Sequence, residues 1–189
     1  MVLVYTSNHS YDFDFATASL AHFNRYPNPF SSHVDSADTV RQFVDDQGRL
    51  HTERLIRKKG RLPEFVKPFL GKISQSWILE TTIVDPRSST LESCSRNLDH
   101  TRVLKVVERS TYTAQSLNSP ATVSNRVSFV SNFGWGQGIR GRIENWSYKR
   151  FHQNIAQSRR GMAYVMQQLR ERGLQSYRQM QLQFAPAEQ

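Results

Sequence analysis

Apolar residues recur at every second position in much of the chain up to Phe133, and with a helical period beyond it. Short alternating runs separated by turn-forming residues are typical of strands in an antiparallel sheet. Seven such runs occur, at residues 1–10, 38–45, 49–58, 76–85, 90–97, 102–114 and 121–133. Turn signals at 46–48 and 85–88 join successive runs. The pattern therefore predicts a seven-stranded antiparallel meander.

Two helices are predicted around these strands. The first starts after Asp12 or Asp14, either of which can cap a helix, and it stops before Pro27. The second follows the glycines at 134–141 and ends near Gly173. Its apolar stripe, which we expect to cover the sheet, consists of Phe151, Ile155, Met162, Met166 and Leu169, with Tyr148 and Val165 at the edges.

The predicted fold class is α+β: a curved antiparallel sheet covered by a long C-terminal helix and a short N-terminal helix. These elements can enclose a space for an apolar ligand, or they can pack solid. The chain of 189 residues is long enough for one domain with its own core. Residues 174–189 are rich in Gln and lack apolar periodicity, so we expect a domain at 1–173 and a disordered tail at 174–189.

The stretch Arg54–Leu70 mixes cations with large apolar side chains. Gly60, Pro63 and Pro68 forbid a long regular helix or a central strand there, so this stretch is predicted to be a loop. Neither a solvated face nor a buried element suits such a mixture, whereas a lid or a membrane-contacting loop does. The residues assigned to the lid and to membrane contact are Arg61, Leu62, Phe65, Lys67 and Phe69.

On the second helix, Trp146 projects away from the packing stripe, and its angular neighbours are Arg142, Lys149, Arg150 and Arg160. A Trp among cations is typical of a helix face that contacts a membrane interface. Trp146, Lys149 and Arg150 are therefore assigned to membrane contact. The alternative is that Trp146 packs on a loop that the sequence pattern does not place.

The formal net charge of +9 favours an anionic partner, which could be a nucleic acid, an anionic membrane or an acidic ligand. The chain has no RNP-like strand, zinc-ligand spacing or basic recognition helix, which argues against nucleic acid. No apolar run approaches the length of a membrane span, and the N-terminus lacks the features of a secretory signal or a mitochondrial presequence.

Catalytic, metal and cofactor sites are not predicted. Asp99 and His100 are adjacent, so on a strand they would point to opposite faces, and no nucleophile motif accompanies them; in a turn they would make structural hydrogen bonds. The six histidines show no ligand spacing, and the single Cys94 excludes an internal disulfide framework. We therefore expect no enzyme activity, no catalytic residue, no metal and no cofactor.

Several motifs occur in a recognisable order: RYPNP at 25–29, KKGRLP at 58–63, VKPFL at 66–70, SWILE at 76–80 and SRNLDHT at 95–101. In these motifs the chain, from Met1 to about Gly173, resembles the PRELI domain family of mitochondrial intermembrane-space lipid-transfer proteins. It is most similar to the branch that carries phosphatidic acid to the inner membrane for cardiolipin synthesis. The resemblance implies a START-like fold, in which the sheet grasps the long helix beneath a lid. It also implies a heterodimer with a small helical twin Cys-x9-Cys protein.

The same resemblance implies the lipid headgroup site. Arg25 resembles the cation deep in the pocket that meets the phosphate, His33 and Lys58 resemble its neighbours, and Asn154 resembles a pocket amide. From the sequence alone, Arg25 could equally satisfy carbonyls at the end of the first helix. The chain departs from close members at Phe65, where they carry Trp, and at Gln157, where they carry Lys. Because the family also contains phosphatidylserine carriers, that lipid is the alternative substrate.

Overall fold

The structure is a computed structural model that describes residues 2–59, 75–131 and 137–183. This part of the chain forms the predicted seven-stranded antiparallel sheet with one short and one long helix. The strands are β1 (Leu3–Asp14), β2 (Val34–Val44), β3 (Leu50–Lys59), β4 (Gln75–Asp85), β5 (Thr90–Asn97), β6 (Lys105–Thr113) and β7 (Pro120–Val130). The helices are α1 (Phe15–Asn24) and α2 (Gln137–Gln183). The predicted fold class is confirmed.

The strand order, β1-β7-β6-β5-β4-β3-β2, explains why α1 lies where it does. Strands β2 to β7 follow one another as hairpin neighbours, whereas β1 and β2 occupy opposite edges of the sheet. The chain must therefore cross the whole sheet between β1 and β2, and it does so through α1 and residues 25–33. This crossover carries Arg25 and His33, so the topology brings both residues over the sheet.

Helix α1 begins at a capping residue that the sequence analysis predicted. The backbone N–H of Thr17 donates a hydrogen bond of 2.7 Å to Oδ1 of Asp14, which satisfies one of the free amides at the helix start. Asp14, rather than Asp12, is thus the cap, because β1 runs on to Asp14 before the helix begins. The helix ends at Asn24, ahead of Pro27 as predicted.

The predicted apolar stripe of α2 lies against the sheet and α1. Met162, Val165 and Met166 are buried in one core cluster with α1 and the sheet, and Leu169 packs against its edge. Nearer the start of α2, the half-buried ring of Phe151 lies 5.3 Å from the ring of Tyr5 on β1. The helix covers one face of the sheet because these residues share one side of it.

The predicted end of α2 near Gly173 is wrong, because the helix continues to Gln183. A glycine inside a helix costs only about 1 kcal/mol relative to alanine, and the residues that follow Gly173 include good helix formers such as Leu174 and Gln175. The division into a domain at 1–173 and a tail at 174–189 stays a prediction, and residues 184–189 lie outside the described residues. In the described part of the chain, no helix is long and apolar enough to cross a membrane.

A close approach at Gly161 fixes the crossover against α2. A Cβ atom at Gly161 would lie 2.8 Å from Oδ1 of Asn28, well inside ordinary contact distance. Asn28 is itself held in place: its Nδ2 donates a hydrogen bond of 2.5 Å to the carbonyl of Arg25, and its Oδ1 accepts one of 2.8 Å from the N–H of Phe30. The absence of a side chain at Gly161 therefore lets α2 touch the loop that carries Arg25.

We expect Gly161→Ala to destabilise the fold by about 1–3 kcal/mol, because the added methyl group overpacks the contact with Asn28 and outweighs the helix propensity that alanine gains. The measurement is the free energy of unfolding in urea. The matched control is Gly173→Ala on the same helix, where nothing lies within 4 Å of the added Cβ, and this variant should be more stable by up to about 1 kcal/mol. Equal changes in the free energy of unfolding would show that the Asn28 side chain moves aside without cost.

Candidate headgroup site

A row of polar side chains crosses the sheet on one face. Residues that pair directly on antiparallel strands point to the same side of a sheet. Arg54 on β3 pairs with Glu80 on β4, Glu80 pairs with Ser95 on β5, and Ser95 pairs with Glu108 on β6. The row therefore places two carboxyl groups, one guanidinium and one hydroxyl side by side beneath the crossover.

Glu80 lies at the centre of this row and is 1% exposed. Its Oε2 accepts hydrogen bonds from Nη2 of Arg25 and, at 3.2 Å, from Oγ of Ser95. Its Oε1 lies 3.7 Å from Nη1 of Arg54 and has no hydrogen-bond partner in the described part of the chain. One carboxylate is thus shared between two arginines, so cations exceed anions at this point.

Arg25 joins the crossover to the sheet. Its guanidinium donates to the backbone carbonyl of His22 in the last turn of α1 and to Glu80, and it lies over the ring of Tyr26 at 4.8 Å. The sequence analysis offered as an alternative that Arg25 satisfies carbonyls at the end of the first helix, and the contact with the carbonyl of His22 is of this kind. The contact with Glu80 comes in addition to it. The assignment of Arg25 to a lipid phosphate remains a prediction.

The opposite charges of Glu80 and Arg25 stabilise each other's ionised form. Burial alone would raise the pKa of Glu80, but the opposing charges of Arg25 and Arg54 lower it to about 2, so the carboxylate is ionised at neutral pH. Burial would lower the pKa of Arg25, and Glu80 instead raises it. Burial and the nearby Arg25 lower the pKa of His22 to about 3. His22 is therefore neutral, and its approach of 3.6 Å to Oε1 of Glu80 is a dipolar contact rather than an ion pair.

Lys58, near the end of β3, lies close to His33 of the crossover. Val34 pairs with Lys58 in the sheet, and the backbone N–H of Lys59 donates a hydrogen bond of 2.7 Å to the carbonyl of His33. Burial lowers the pKa of the His33 imidazole, and the charges of Lys58 and Arg150 lower it further. The structure therefore brings His33, Lys58 and Arg150 into electrostatic contact.

Lys58 also faces the inner row. Burial alone would raise the pKa of Tyr26, but the charges of Lys58 and Arg25 lower it. Burial raises the pKa of Glu108, against the opposing effect of Lys58 and Arg25. Glu108 is enclosed by protein, yet part of its surface stays accessible, as it does for Arg25 and Lys58. Arg25, Glu108 and Lys58 therefore border accessible space beside the polar row.

Two depressions in the described surface lie away from this cluster. One, of about 460 Å³, lies at the turn between β6 and β7 and is lined by Thr113, Ala114, Gln115, Ser119, Pro120 and Thr122. The other, of about 160 Å³, lies beside the β2–β3 hairpin and includes Arg41, Phe43 and His51. Neither includes a predicted headgroup residue, and the first is formed by exposed turn residues without a charged group. The candidate site is therefore the polar cluster around Arg25, Glu80 and Lys58.

The other predicted site residues that the structure describes lie on α2. Asn154 is exposed on α2, and no side-chain hydrogen bond joins it to another described residue. Trp146 is 36% exposed, and Lys149 and Arg150 beside it are also exposed. The assignments of Arg61, Leu62, Phe65, Lys67 and Phe69 lie outside the described residues.

Asp99 and His100 lie in the loop after β5. Asp99 accepts hydrogen bonds of 2.5 Å from Oγ of Ser76 and 3.0 Å from the backbone N–H of Trp77, and it thereby ties the loop to β4. These are the structural hydrogen bonds expected for a turn. In the part of the chain that the structure describes, no group of three potential metal ligands occurs.

Comparison with known proteins shows where this chain belongs. The PRELI-like family matches residues 16–172. The chain belongs to the PRELI-like family. It is 47% identical over 171 residues to the mitochondrial protein UPS1 of Saccharomyces cerevisiae, covering 90% of this chain and 97% of that protein.

One further relative agrees with this membership, and one solved structure shares the fold. The chain is 44% identical over 153 residues to the UPS1 homologue of Schizosaccharomyces pombe, covering 80% of this chain and 88% of that protein. The crystal structure of TTHA0849 from Thermus thermophilus matches with a TM-score of 0.57 at 11% identity, covering 88% of this chain and 99% of the other. At that identity the likeness concerns the fold alone, which is START-like as the resemblance implied.

The sequence analysis named Arg25 and Lys58 of this polar cluster but did not name Glu80, Glu108 or Arg54 as members of it. Two of these three residues do leave a signal in the sequence. Arg54 lies two residues from the buried Thr52 and two from the buried Ile56 on β3, so it points to the same side of the strand. Glu80 has the same spacing from the buried Thr82 on β4, and Val84 continues that buried side. A charged residue in phase with buried positions predicts a buried charge that needs a partner.

The cluster predicts acid sensitivity. The pKa values of His22 and Glu80 in the folded state lie below their ordinary values of 6.5 and 4.5, so at these two groups the unfolded chain binds more protons than the folded chain as the pH falls below 6.5. The raised pKa of Glu108 opposes only part of this effect. Stability should therefore fall with pH from 6.5 towards 3. His22 contributes at most about 1.4 kcal/mol per pH unit in this window.

His22→Gln should reduce this slope, measured as the free energy of unfolding between pH 7 and pH 5. The control is Thr82→Val, which removes the hydroxyl 3.3 Å from Nε2 of His22 but leaves the imidazole to titrate. That variant should lose stability by a similar amount at each pH. A slope in His22→Gln as steep as that of the wild type would contradict the buried, neutral imidazole.

Proposed function

We propose that this protein is a mitochondrial phospholipid-transfer protein that binds phosphatidic acid by its phosphate and carries it between membranes. The observation that supports this proposal best is the surplus of cations facing the inside of the fold. Arg25 and Arg54 flank the ionised Glu80, and Lys58 acts together with Arg25 on Glu108, whose pKa burial raises. An enclosed group of this kind favours an anion.

The proposed cargo also needs an apolar enclosure. A phospholipid that leaves a bilayer exposes two acyl chains of roughly 30 methylenes, at about 0.8 kcal/mol each, so about 25 kcal/mol must be offset by apolar contacts. A sheet that curves around a long helix can provide a lined space of this kind. We assign the acyl chains to the space between the sheet and α2, beyond the polar row.

The phosphate of phosphatidic acid is a monoester with more than one negative charge and no larger headgroup attached. Each charge-assisted hydrogen bond from a cation to such a group contributes about 1.5–3 kcal/mol. Arg25 and Lys58 are the donors we assign, with His33 and Asn154 at the edge of the site. Phosphatidylserine transfer by the same fold is the alternative, and a headgroup competition assay separates the two lipids.

Family membership supports a proposal for the location and the partner. The relatives described above include a mitochondrial protein, which supports a mitochondrial location for this chain. We propose that it works in the intermembrane space, delivers phosphatidic acid to the inner membrane for cardiolipin synthesis, and pairs with a small helical twin Cys-x9-Cys protein. The proposal includes no catalytic step and no cofactor.

Membrane contact is assigned to the lid residues Arg61, Leu62, Phe65, Lys67 and Phe69 together with the exposed Trp146, Lys149 and Arg150 on α2. Basic residues near an anionic bilayer contribute about 1 kcal/mol each. A few such contacts hold the protein at a membrane without preventing its departure. That balance suits a shuttle.

Lys58→Glu and Arg25→Glu should each lower the rate of phosphatidic acid transfer between liposomes by about tenfold or more, because each loses a charge-assisted hydrogen bond and introduces a repulsive charge. The assay uses labelled lipid and the heterodimer, with circular dichroism as a check on folding. The control, Arg109→Glu, makes the same charge change at an exposed residue of β6 and should transfer lipid at the wild-type rate. Transfer undiminished in both site variants, or absent from the wild type, would contradict the proposal.

Trp146→Ala should weaken binding to anionic vesicles severalfold, because the indole leaves the interface, while headgroup selection stays as in the wild type. Vesicle flotation measures the first property, and competition between phosphatidic acid and phosphatidylserine measures the second. Leu174→Ala is the control, since Leu174 is 54% exposed further along the same helix, and it should leave both properties unchanged. If the two variants bind vesicles equally well, Trp146 is not a membrane contact.

A further inference from the structure

The cation assigned to the lipid phosphate already has an anionic partner within the protein. Arg25 donates to Oε2 of Glu80, a residue that is 1% exposed and lies on a strand next to the centre of the sheet. The carboxylate is ionised, and its oxygens offer the same kind of acceptor that a phosphate offers. A phosphate that reaches Arg25 must therefore compete with Glu80.

Glu80 is arranged so that it can release Arg25 without becoming isolated. Its Oε1 lies 3.7 Å from Arg54 and lacks a hydrogen-bond partner in the described part of the chain. Ser95 donates to Oε2 at 3.2 Å from the next strand. A small rotation of the carboxylate towards Arg54 would give Oε1 the hydrogen bond that it lacks. The carboxylate would then keep a cation and a hydroxyl as partners.

Arg25 is also able to leave. Its side chain is 15% exposed, in contrast to 4% for Arg54, so Arg25 borders accessible space and Arg54 does not. Arg25 lies over the ring of Tyr26, and the charges of both Arg25 and Lys58 act on Tyr26, so Tyr26 has both cations near it. A phosphate between Arg25 and Lys58 would therefore take one arginine and leave the other to Glu80.

We propose that Glu80 is a resident counter-ion that occupies Arg25 in the lipid-free protein and that the phosphate monoester of the lipid displaces. This inference rests on the proposed function and adds to it a residue that sets headgroup affinity. By stabilising the empty site, Glu80 weakens net binding, and by reclaiming Arg25 it speeds release of the lipid at the acceptor membrane. Glu80 is thus a positioning residue for Arg25.

The test is Glu80→Gln, which keeps the shape of the side chain and removes its charge. The lipid-free variant should unfold at a lower temperature, because Arg25 and Arg54 lose their counter-ion. Saturating short-chain phosphatidic acid should raise its unfolding temperature by more than it raises that of the wild type. Release of labelled phosphatidic acid to acceptor liposomes should slow by roughly tenfold, since the lipid no longer competes with a charge-assisted hydrogen bond.

The matched control is Glu144→Gln, which changes another fully buried glutamate. Glu144 is 2% exposed and accepts a hydrogen bond of 2.9 Å from the backbone N–H of Ser131, away from Arg25. This variant should lose the same stability with and without lipid, which is the behaviour of a purely structural carboxylate. Glu80→Asp keeps the charge but shortens the side chain. With lipid, its unfolding temperature should rise by an amount between those of the wild type and Glu80→Gln. Glu80→Asp also replaces Glu80→Gln in the test if the latter does not fold.

A parallel titration with inorganic phosphate at the same concentration identifies the source of the phosphate. The proposal is supported if phosphatidic acid raises the unfolding temperature of Glu80→Gln by more than that of the wild type and inorganic phosphate does not. An equally large extra rise with inorganic phosphate overturns the lipid assignment. If the wild type transfers phosphatidic acid but Glu80→Gln gains no more from it than Glu144→Gln does, the counter-ion role is wrong while the proposed function stands. No transfer or lipid-dependent shift in the wild type would instead remove the proposed function itself.

Discussion

The ion pair between Arg25 and Glu80 joins the two parts of the fold that the chain order separates. Because β1 and β2 lie at opposite edges of the sheet, the crossover between them can be held only by contacts with the sheet face or with α2. Arg25 supplies the first contact and Asn28, packed against Gly161, supplies the second. Desolvating two charges is costly, and a buried pair is tolerated when further hydrogen bonds satisfy it. The carbonyl of His22 accepts a hydrogen bond from Arg25 and the hydroxyl of Ser95 donates one to Glu80, while Arg54 adds a second positive charge 3.7 Å from Oε1 of Glu80.

The same pair couples the stability of the fold to its chemistry. Glu80 remains ionised only because cations lower its pKa, and Arg25 remains in place only because Glu80 and the end of α1 hold it. Removing Glu80 leaves Arg25 and Arg54 without their shared counter-ion, whereas removing Arg25 leaves Glu80 with Arg54 and Ser95 beside it. An external anion can replace Glu80 as the partner of Arg25, because it brings a negative charge of its own to the arginine. This is the physical basis on which we propose that the cluster exchanges one anion for another.

The sequence predicts the elements of this fold well because each one follows from a local pattern. The alternation along β3 to β7, the cap at Asp14 and the stripe through Met162 and Met166 need no knowledge of the rest of the chain. The end of α2 was wrong because glycine is a weak stop signal when nothing after it breaks the helix. The row from Arg54 to Glu108 was missed because it depends on strand register, which relates residues far apart in sequence. Arg25 was found through a family motif, while its partner Glu80, in the SWILE motif, was not connected to it.

Charge is used differently inside and outside this protein. The net charge of +9 acts at long range and brings the protein to anionic surfaces, where salt weakens it. The inner cations are shielded from salt, and an unopposed group of Arg25, Arg54 and Lys58 would hold a phosphate too tightly for repeated transfer. Glu80 offsets part of this attraction within the empty site, so the free energy of binding is the difference between two similar interactions. In the proposed function, a small difference of this kind would let one site extract a lipid from one membrane and release it at another, because the environment of each membrane would then decide the direction.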